Sequence, residues 1–346
     1  MPDPAWPGLV WPGLVWSGLV FERRLKDTVP AVRVPVTAFT GNASPSLAAG
    51  ESRTVRPMDN RTEVRDFLTS RRARITPEKA GLPLYGTNRR VAGLRREEVA
   101  LLAGVSTDYY TRLERGNLTG VSESVLEALA AALQLDESER THLLDLARAA
   151  NTSGRQRRTA PKQQLRPGVQ RILDSISAPA YVRNNRLDLL GVNRVGRALL
   201  SDLYAHDASR PNLARYMFLD PRSQDFYVDW AAVAKDVVAA LRIEAGRNPY
   251  DRGLTDLIGE LSTRSDEFRT WWASHNVRIH RTSTKQMHHP VAGDLELTGE
   301  ALELPGDSGL TIITYTVEPA TPSAQALQFL SSWADEAVSE DSLRIE

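Results

Sequence analysis

The chain has 346 residues, enough for two domains of about 150 residues each. It contains no cysteine, which excludes disulfide bonds, thiolate metal sites and cysteine catalysis, and which fits a cytoplasmic protein. The 43 basic and 43 acidic residues balance overall, but residues 1–170 hold 25 Lys and Arg against 18 Asp and Glu. A basic first half followed by an acidic second half is typical of a nucleic-acid reader joined to a different kind of domain.

Residues 1–57 show no pattern of a folded segment. A five-residue unit starts at Trp6, Trp11 and Trp16, and its prolines and glycines break any helix. The apolar run is shorter than the ~20 residues that span a bilayer, and the remainder scatters Pro, Thr, Ser and Gly. We therefore expect a disordered, low-complexity extension and no membrane partner, with the natural start of translation at Met58.

Residues 58–150 have the spacing of five helices. The first is predicted over residues 61–75, with Asn60 and Glu63 as a capping box. The fourth and fifth are predicted over residues 121–133 and 136–148. We expect these helices to form one small all-α domain, followed by a basic linker at residues 151–166.

The second and third helices lie in the stretch 94–116, where a tight turn joins them. The packed sides hold Val99, Ala100, Tyr110 and Leu113, and Gly104 lies at the turn, where a positive φ is needed. Ser106 is placed to cap the third helix and Gly116 to end it. These offsets are typical of a helix-turn-helix, whose second helix enters the DNA major groove; an ordinary pair of packed helices is the alternative.

This stretch resembles the lambda-repressor-like (XRE) class of DNA-binding domains. The resemblance implies base contacts by Thr107, Asp108, Thr111 and Arg112. It implies backbone contacts by Arg95, Arg96, Ser106, Tyr109 and Arg115, and we add Arg89 and Arg90 of the long basic loop at residues 77–93. Arg112 suits guanine because a guanidinium bonds O6 and N7 together, whereas Asp108 has helix capping as an equal alternative. Glu114 is implied to pair with Arg71 or Arg72 of the first helix.

Residues 167–334 change to an α+β pattern. A helix from Pro167, a hairpin about Asn184 and Asn185, and a helix from Asn193 are followed by a helical middle. Three further strands are predicted over residues 277–287, 293–304 and 309–318, and a last helix over 324–333, before a tail at 335–346. This order predicts a five-stranded antiparallel sheet with helices on one face.

The second half resembles the C-terminal domain of MmyB-like transcription regulators, which is a PAS-like fold. The distinctive segments are Arg215–Pro221, Glu260–Ser265 and His289–Glu296. The resemblance implies a small apolar, fatty-acid-like ligand between sheet and helices. The candidate pocket residues are Phe218, Phe226, Trp230, Trp271, Trp272 and Tyr315, with Arg278 and His289 for a headgroup. Core packing is the alternative for each aromatic residue, and a carboxylate partner within the fold is the alternative for the two polar ones.

The histidines at 275, 280, 288 and 289 lack the i, i+4 spacing with a nearby acid that zinc enzymes use, so we expect no metal. The sequence also has no Gly-rich phosphate loop and no nucleophile elbow, so we expect no cofactor and no catalysis. The sequence therefore predicts a cytoplasmic, homodimeric, ligand-gated regulator that binds double-stranded DNA. Two alternatives stay open. The second half could only dimerise or recruit a partner, or it could be a hydrolytic or metal enzyme that uses His280 and His288.

Overall fold

The computed structural model describes residues 59–83, 91–151, 164–205, 211–277, 282–307 and 309–343. The first domain has the five expected helices: α1 (Asn60–Arg74), α2 (Arg96–Leu102), α3 (Thr107–Glu114), α4 (Glu123–Ala132) and α5 (Glu137–Asn151). Val64, Phe67 and Leu68 of α1 pack against Tyr110 and Leu113 of α3 in one buried cluster. Helix α5 continues one residue into the predicted linker, and residues 152–163 lie outside the described part of the chain.

The start of α1 differs from the prediction. Asp59, not Asn60, is the N-cap, and its carboxylate accepts from the backbone N–H of Arg61 at 3.1 Å. Glu63 does not complete a capping box, because its side chain is buried against the second domain. The capping box predicted for α5 is present: Glu139 N–H donates to the Asp136 carboxylate at 2.9 Å, and Asp136 N–H donates to Glu139 at 3.2 Å.

The two glycines of the predicted turn and helix end adopt the expected left-handed backbone. Gly104 has φ of +65° and Gly116 has φ of +92°. A Cβ added at Gly116 would lie only 2.2 Å from the carbonyl oxygen of Arg61, whereas a Cβ at Gly104 would meet no atom within 4 Å. Gly116 therefore brings the end of α3 directly against the start of α1.

The second domain contains nine helices and five strands among the described residues. The helices are α6 (Pro167–Ser175), α7 (Arg194–Leu199), α8 (Ser201–Tyr204), α9 (Leu213–Leu219), α10 (Arg222–Phe226), α11 (Trp230–Arg247), α12 (Arg252–Arg264), α13 (Asp266–Ala273) and α14 (Pro322–Leu343). The strands are β1 (Ala180–Asn184), β2 (Leu189–Val192), β3 (Thr282–His289), β4 (Gly293–Glu303) and β5 (Leu310–Thr316). They form the predicted antiparallel sheet in the order β2-β1-β5-β4-β3.

Helices cover both faces of the sheet, so the expectation of helices on one face is wrong. Side chains alternate along a strand, and Val182 and Ile312 accordingly pack with Leu173 of α6 on one face. Tyr181 and Tyr315 point to the other face, into the cluster that α9, α10 and α11 complete. Helix α6 is short and amphipathic. Its sequence shows which side of the helix is apolar, but it does not show which face of the sheet that side covers, and for this reason the prediction failed.

Two other details of the second domain depart from the predictions. In the β1–β2 hairpin the residue with positive φ is Leu187, at +66°. The Asn184 side chain instead closes the turn, because its Oδ1 accepts from the N–H groups of Arg186 and Asp188 at 2.9 Å each. The last helix extends to Leu343, so most of the predicted tail is helical.

Candidate DNA-binding surface and ligand-binding domain

Helix α3 presents the residues predicted to contact bases on its open side. Tyr110 and Leu113 are fully buried, which fixes the rotation of the helix. Thr107, Asp108 and Arg112 are exposed and Thr111 is half-buried, with Asp108 and Arg112 on the side opposite the two buried residues. The Ser106 hydroxyl caps the helix by accepting from the N–H of Tyr109 at 3.1 Å, so its oxygen is already bonded within the domain.

Cationic and amide side chains surround a recess beside α3. Arg112 lies with its guanidinium carbon 4.8 Å from the centre of the Tyr109 ring. A recess of about 450 Å³ is lined by Arg61, Asp108, Thr111, Arg112, Arg115 and Asn117. The sequence reasoning missed Arg61 and Asn117. Gly116 could have indicated them, because a glycine allows another backbone segment to approach closely, and here the start of α1 lies next to the end of α3.

Glu114 ties three basic or polar groups to the buried side of α3. Its carboxylate is 2 % exposed, and it accepts from Arg72 Nε at 2.5 Å and from Arg96 Nε. The Tyr110 hydroxyl lies 3.4 Å from the same carboxylate. Burial, and then the Glu114 charge, raises the pKa of Tyr110, so that side chain stays a neutral donor. Arg96 is therefore held in an ion pair, with about half of its side chain still exposed.

The remaining predicted backbone contacts fall into two groups. Arg95 is the N-cap of α2, and its side chain makes no capping hydrogen bond. Instead, the backbone N–H of Arg95 donates to the Glu98 carboxylate at 2.6 Å. Its guanidinium lies 3.3 Å from Glu97 at the surface. Arg89 and Arg90 lie outside the described residues. Arg71 does not reach Glu114 but pairs with Glu139 at 3.0 Å.

The aromatic residues proposed for a ligand pocket form two groups in the second domain. Phe218 is the centre of the first group, with its ring 5.0 Å from Phe268, 6.1 Å from Trp230 and 6.2 Å from Trp271. The second group places Phe226 edge-on to His289 at 6.3 Å. Tyr315 projects from β5 into the same buried cluster as Phe226. Trp272 belongs to the first group, because it stacks on Phe268 at 5.6 Å.

Two cations that the sequence reasoning missed also lie on the face of the sheet that carries Tyr181 and Tyr315. Arg183 is two residues from Tyr181 on β1, and Lys285 pairs across β3 and β4 with the buried Leu297. Both side chains are half-buried, and burial lowers both of their pKa values. Burial also raises the pKa of the Tyr315 hydroxyl well above its usual range. Cations and neutral hydroxyls with reduced hydration are suited to receive an anionic group.

Comparisons with known families give a match for each of the two domains. Residues 66–143 match the family described as a helix-turn-helix domain. Residues 165–330 match the MmyB-like transcription regulator ligand binding domain, so both predicted resemblances are confirmed. The chain is a DNA-binding transcription regulator with a ligand-binding domain. These domains indicate a regulator rather than an enzyme. It has no match among the curated proteins.

The two described histidines of β3, His288 and His289, make hydrogen bonds within the domain. His289 is buried: its Nε2 donates to the Ala198 carbonyl at 3.1 Å, and its Nδ1 accepts from the N–H groups of Val291 and Ala292. Burial lowers its pKa, so the ring is neutral and both nitrogens are used within the fold. His288 points to the opposite, exposed face and lies 2.6 Å from Asp294. Arg278 and His280 lie outside the described residues.

Within the described part of the chain, no group of three His, Cys, Asp or Glu side chains could hold a metal ion. Among the helices described, none is both long enough and apolar enough to span a membrane.

Proposed function

We propose that the regulator binds a specific DNA sequence through the open side of α3, and that a fatty-acid-like carboxylate in its second domain changes that binding. The observation that carries the DNA part is the rotation of α3. The burial of Tyr110 and Leu113 leaves Thr107, Asp108 and Arg112 exposed together. An α-helix that presents a planar guanidinium and short polar side chains in this way suits the major groove.

The cations around α3 divide by position. Arg112 lies on the helix itself and is assigned to a base edge, whereas Arg115, Arg96 and Arg61 surround the helix and are assigned to phosphates. Contacts to phosphates fix the protein on the duplex but carry no sequence information. The two classes therefore differ in what their removal does to specificity and to salt dependence.

This division is tested by measuring the affinity of variants for a selected duplex and for a mismatched one at several salt concentrations. Arg112→Ala should lose about 1–3 kcal/mol of discrimination at one base pair. Arg115→Ala should weaken both duplexes equally and reduce the salt slope by about 1. Arg140→Ala is the matched control, because Arg140 of α5 pairs with Glu127 of α4 and does not line the recess. Equal effects of the first two variants on both duplexes would contradict the assignment.

For the ligand part, we assign the headgroup to Arg183 and Lys285 and the acyl chain to the aromatic residues between α9, α11 and α13. What supports this is the combination of lowered cation pKa values and retained exposure on the side of the sheet that faces α11. Asp236 and Glu244, both on α11, act in the opposite direction to burial, because their negative charges raise the pKa values of Lys285 and Arg183, respectively. A ligand carboxylate on this face would add a further negative charge for the two cations.

Calorimetry with dodecanoate and dodecanol as probes tests this site. Arg183→Met and Lys285→Met should each weaken dodecanoate binding by at least about tenfold, since a charged hydrogen bond is worth roughly 1.5–3 kcal/mol. Dodecanol binding should change little. Arg186→Met is the control, because Arg186 lies at the same hairpin and pairs with Asp188 and Asp251 outside the cluster. Dodecanoate binding that survives both substitutions would place the headgroup elsewhere.

A homodimer on a two-fold DNA site, as helix-turn-helix domains commonly form, stays a prediction. Analytical ultracentrifugation of the regulator with and without its selected duplex tests it. A 1:1 complex at saturation would contradict it. The cytoplasmic location also stays a prediction from the sequence.

A further inference from the structure

The two domains pack tightly through α1 and α5 on one side and α11 and α13 on the other. Ile243 of α11 and Val277 beyond α13 belong to the buried cluster of the DNA-binding domain. Gly246 lies against α5 so closely that a Cβ there would be 2.7 Å from Cε1 of His142. Arg247 also pairs with Asp145 of α5 at 2.9 Å. The contact is therefore part of a packed core, not two surfaces that touch lightly.

A charged cluster lies at the centre of this contact. Arg242 of α11 is 0 % exposed, and its guanidinium donates to the Glu63 carboxylate of α1 and to the Trp272 carbonyl of α13. The same guanidinium lies 2.9 Å from His275 Nδ1, which is 3.4 Å from Glu63. Burial alone would raise the pKa of Glu63, but His142, His275 and Arg242 together hold it well below its usual range. The carboxylate is thus ionised at the interface.

His275 connects both domains and does so in a strained conformation. It follows the end of α13 with φ of +52°, a left-handed position that usually takes glycine. Its carbonyl accepts from Arg71 Nη2 of α1 at 2.5 Å, and its ring faces Glu63. Such strain persists only where the surroundings impose it, and here the surroundings include Arg71 and Glu63 of the other domain.

The cluster also touches the aromatic group of the ligand-binding domain. The guanidinium of Arg242 lies 4.1 Å from the centre of the Trp272 ring, and Trp272 stacks on Phe268. Phe268 in turn contacts Phe218, the centre of the first aromatic group. A shift of α13 would therefore move both the ring and the carbonyl that hold Arg242.

We propose that Glu63, Arg242 and His275 form an interdomain latch, which holds the DNA-binding domain in one orientation on the ligand-binding domain and which movement of α13 releases. Each buried charge is compensated only when its partners are in place, so separating them without exposing them to water is costly. Opening the latch exposes Glu63 and Arg242 together and lets the first domain reorient. The transmitting role rests on the proposed function, whereas the latch itself is a property of the two domains.

Spin labels on the two domains test the latch directly. The chain has no cysteine, so Ala131→Cys on α4 and Asp256→Cys on α12, both exposed, accept labels specifically. Electron–electron distance measurements on the full chain should give one narrow distance. In Arg242→Met and Glu63→Gln that peak should lose most of its amplitude to a broad distribution. Arg140→Met, which breaks an exposed ion pair within one domain, should leave it narrow.

Circular dichroism shows whether each variant is folded. Two milder variants test the latch in case Arg242→Met or Glu63→Gln does not fold. Trp272→Leu keeps the carbonyl that Arg242 uses but removes the ring, so it should broaden the distance in part. His275→Gly removes the backbone strain but also removes the ring that contacts Arg242 and Glu63, so it should broaden the distance. A residue that only ended α13 would leave the distance unchanged. A narrow distance in folded Arg242→Met and Glu63→Gln would overturn the latch.

The proposed function can fail separately, because the distances are read without DNA or ligand. If the wild-type chain bound neither duplex nor dodecanoate, the proposed function would be lost and the latch result would stand. Dodecanoate that binds and broadens the distance supports release through α13. Dodecanoate that binds without changing the distance would overturn the transmitting role.

Discussion

Gly116→Ala measures the close approach on which the DNA-binding surface depends. The left-handed backbone at φ of +92° costs a residue with a Cβ about 1–2 kcal/mol. The added methyl group would also lie 2.2 Å from the Arg61 carbonyl oxygen, and overpacking of this kind costs about 1–3 kcal/mol more. We therefore expect a loss of about 2–5 kcal/mol in the free energy of unfolding. Gly104→Ala has a similar φ of +65° but meets open space, so it should lose only the first part.

The assay is urea unfolding of the full chain, monitored by far-ultraviolet circular dichroism. The two variants are compared with the same dependence of the unfolding free energy on urea concentration. Gly116→Ala should also weaken DNA binding, because the end of α3 and Asn117 move away from Arg61. Gly104→Ala should bind DNA almost as the wild type does. If both substitutions lower the free energy of unfolding equally, the contact between α3 and α1 is looser than the geometry indicates. The shape of the recess then does not depend on that contact.

Two further predictions concern buried polar groups. Asn193→Leu should cost at least about 2 kcal/mol in urea unfolding, because the two buried N–H groups of Ala180 and Gly196 lose their acceptor and two partly buried carbonyls lose their donor, all at 2.7–3.0 Å. Gln224→Leu, at an exposed position, should cost almost nothing, and equal costs would contradict this role. His142 has a pKa lowered by burial from its usual 6.5, although Glu63 opposes the shift, so the unfolded chain binds a proton that the folded chain does not. Stability should therefore fall as the pH drops below about 6.5, and His142→Asn should flatten that dependence between pH 5 and 6.5; His289 contributes with the same sign, so an unchanged slope in the variant would exclude His142 as the source.

The parts of the fold that sequence patterns predicted are those set by local spacing. Gly104 and Gly116 have the positive φ that the turn and helix end required, and Tyr110 and Leu113 are buried as their spacing indicated. The five strands follow from alternation and turn residues, each of which acts over a few neighbours. The outward residues of α3 follow in turn, because a helix with one buried side has only one other side.

The parts that could not be predicted depend on contacts distant in sequence. Glu63 fits a capping box by spacing, but its partner Arg242 is 179 residues away and was unknown from any local pattern. Burial of a charged pair has no periodic signature, so sequence reasoning assigned Glu63 to the helix end. Arg183 and Lys285 left a weak signal, since a cation at the inward parity of a strand is unusual in a core.

Helix α1 joins these findings, because its successive sides contact different partners. Glu63, Phe67 and Arg71 are spaced four residues apart and form one stripe, which faces His142, Glu139 and the latch. Arg72 is one residue further round the helix and bonds Glu114 of α3. A rotation of α1 large enough to separate Glu63 from Arg242 would also displace Arg72. The interdomain contact and the position of the recognition helix are therefore mechanically dependent on the same fifteen-residue helix.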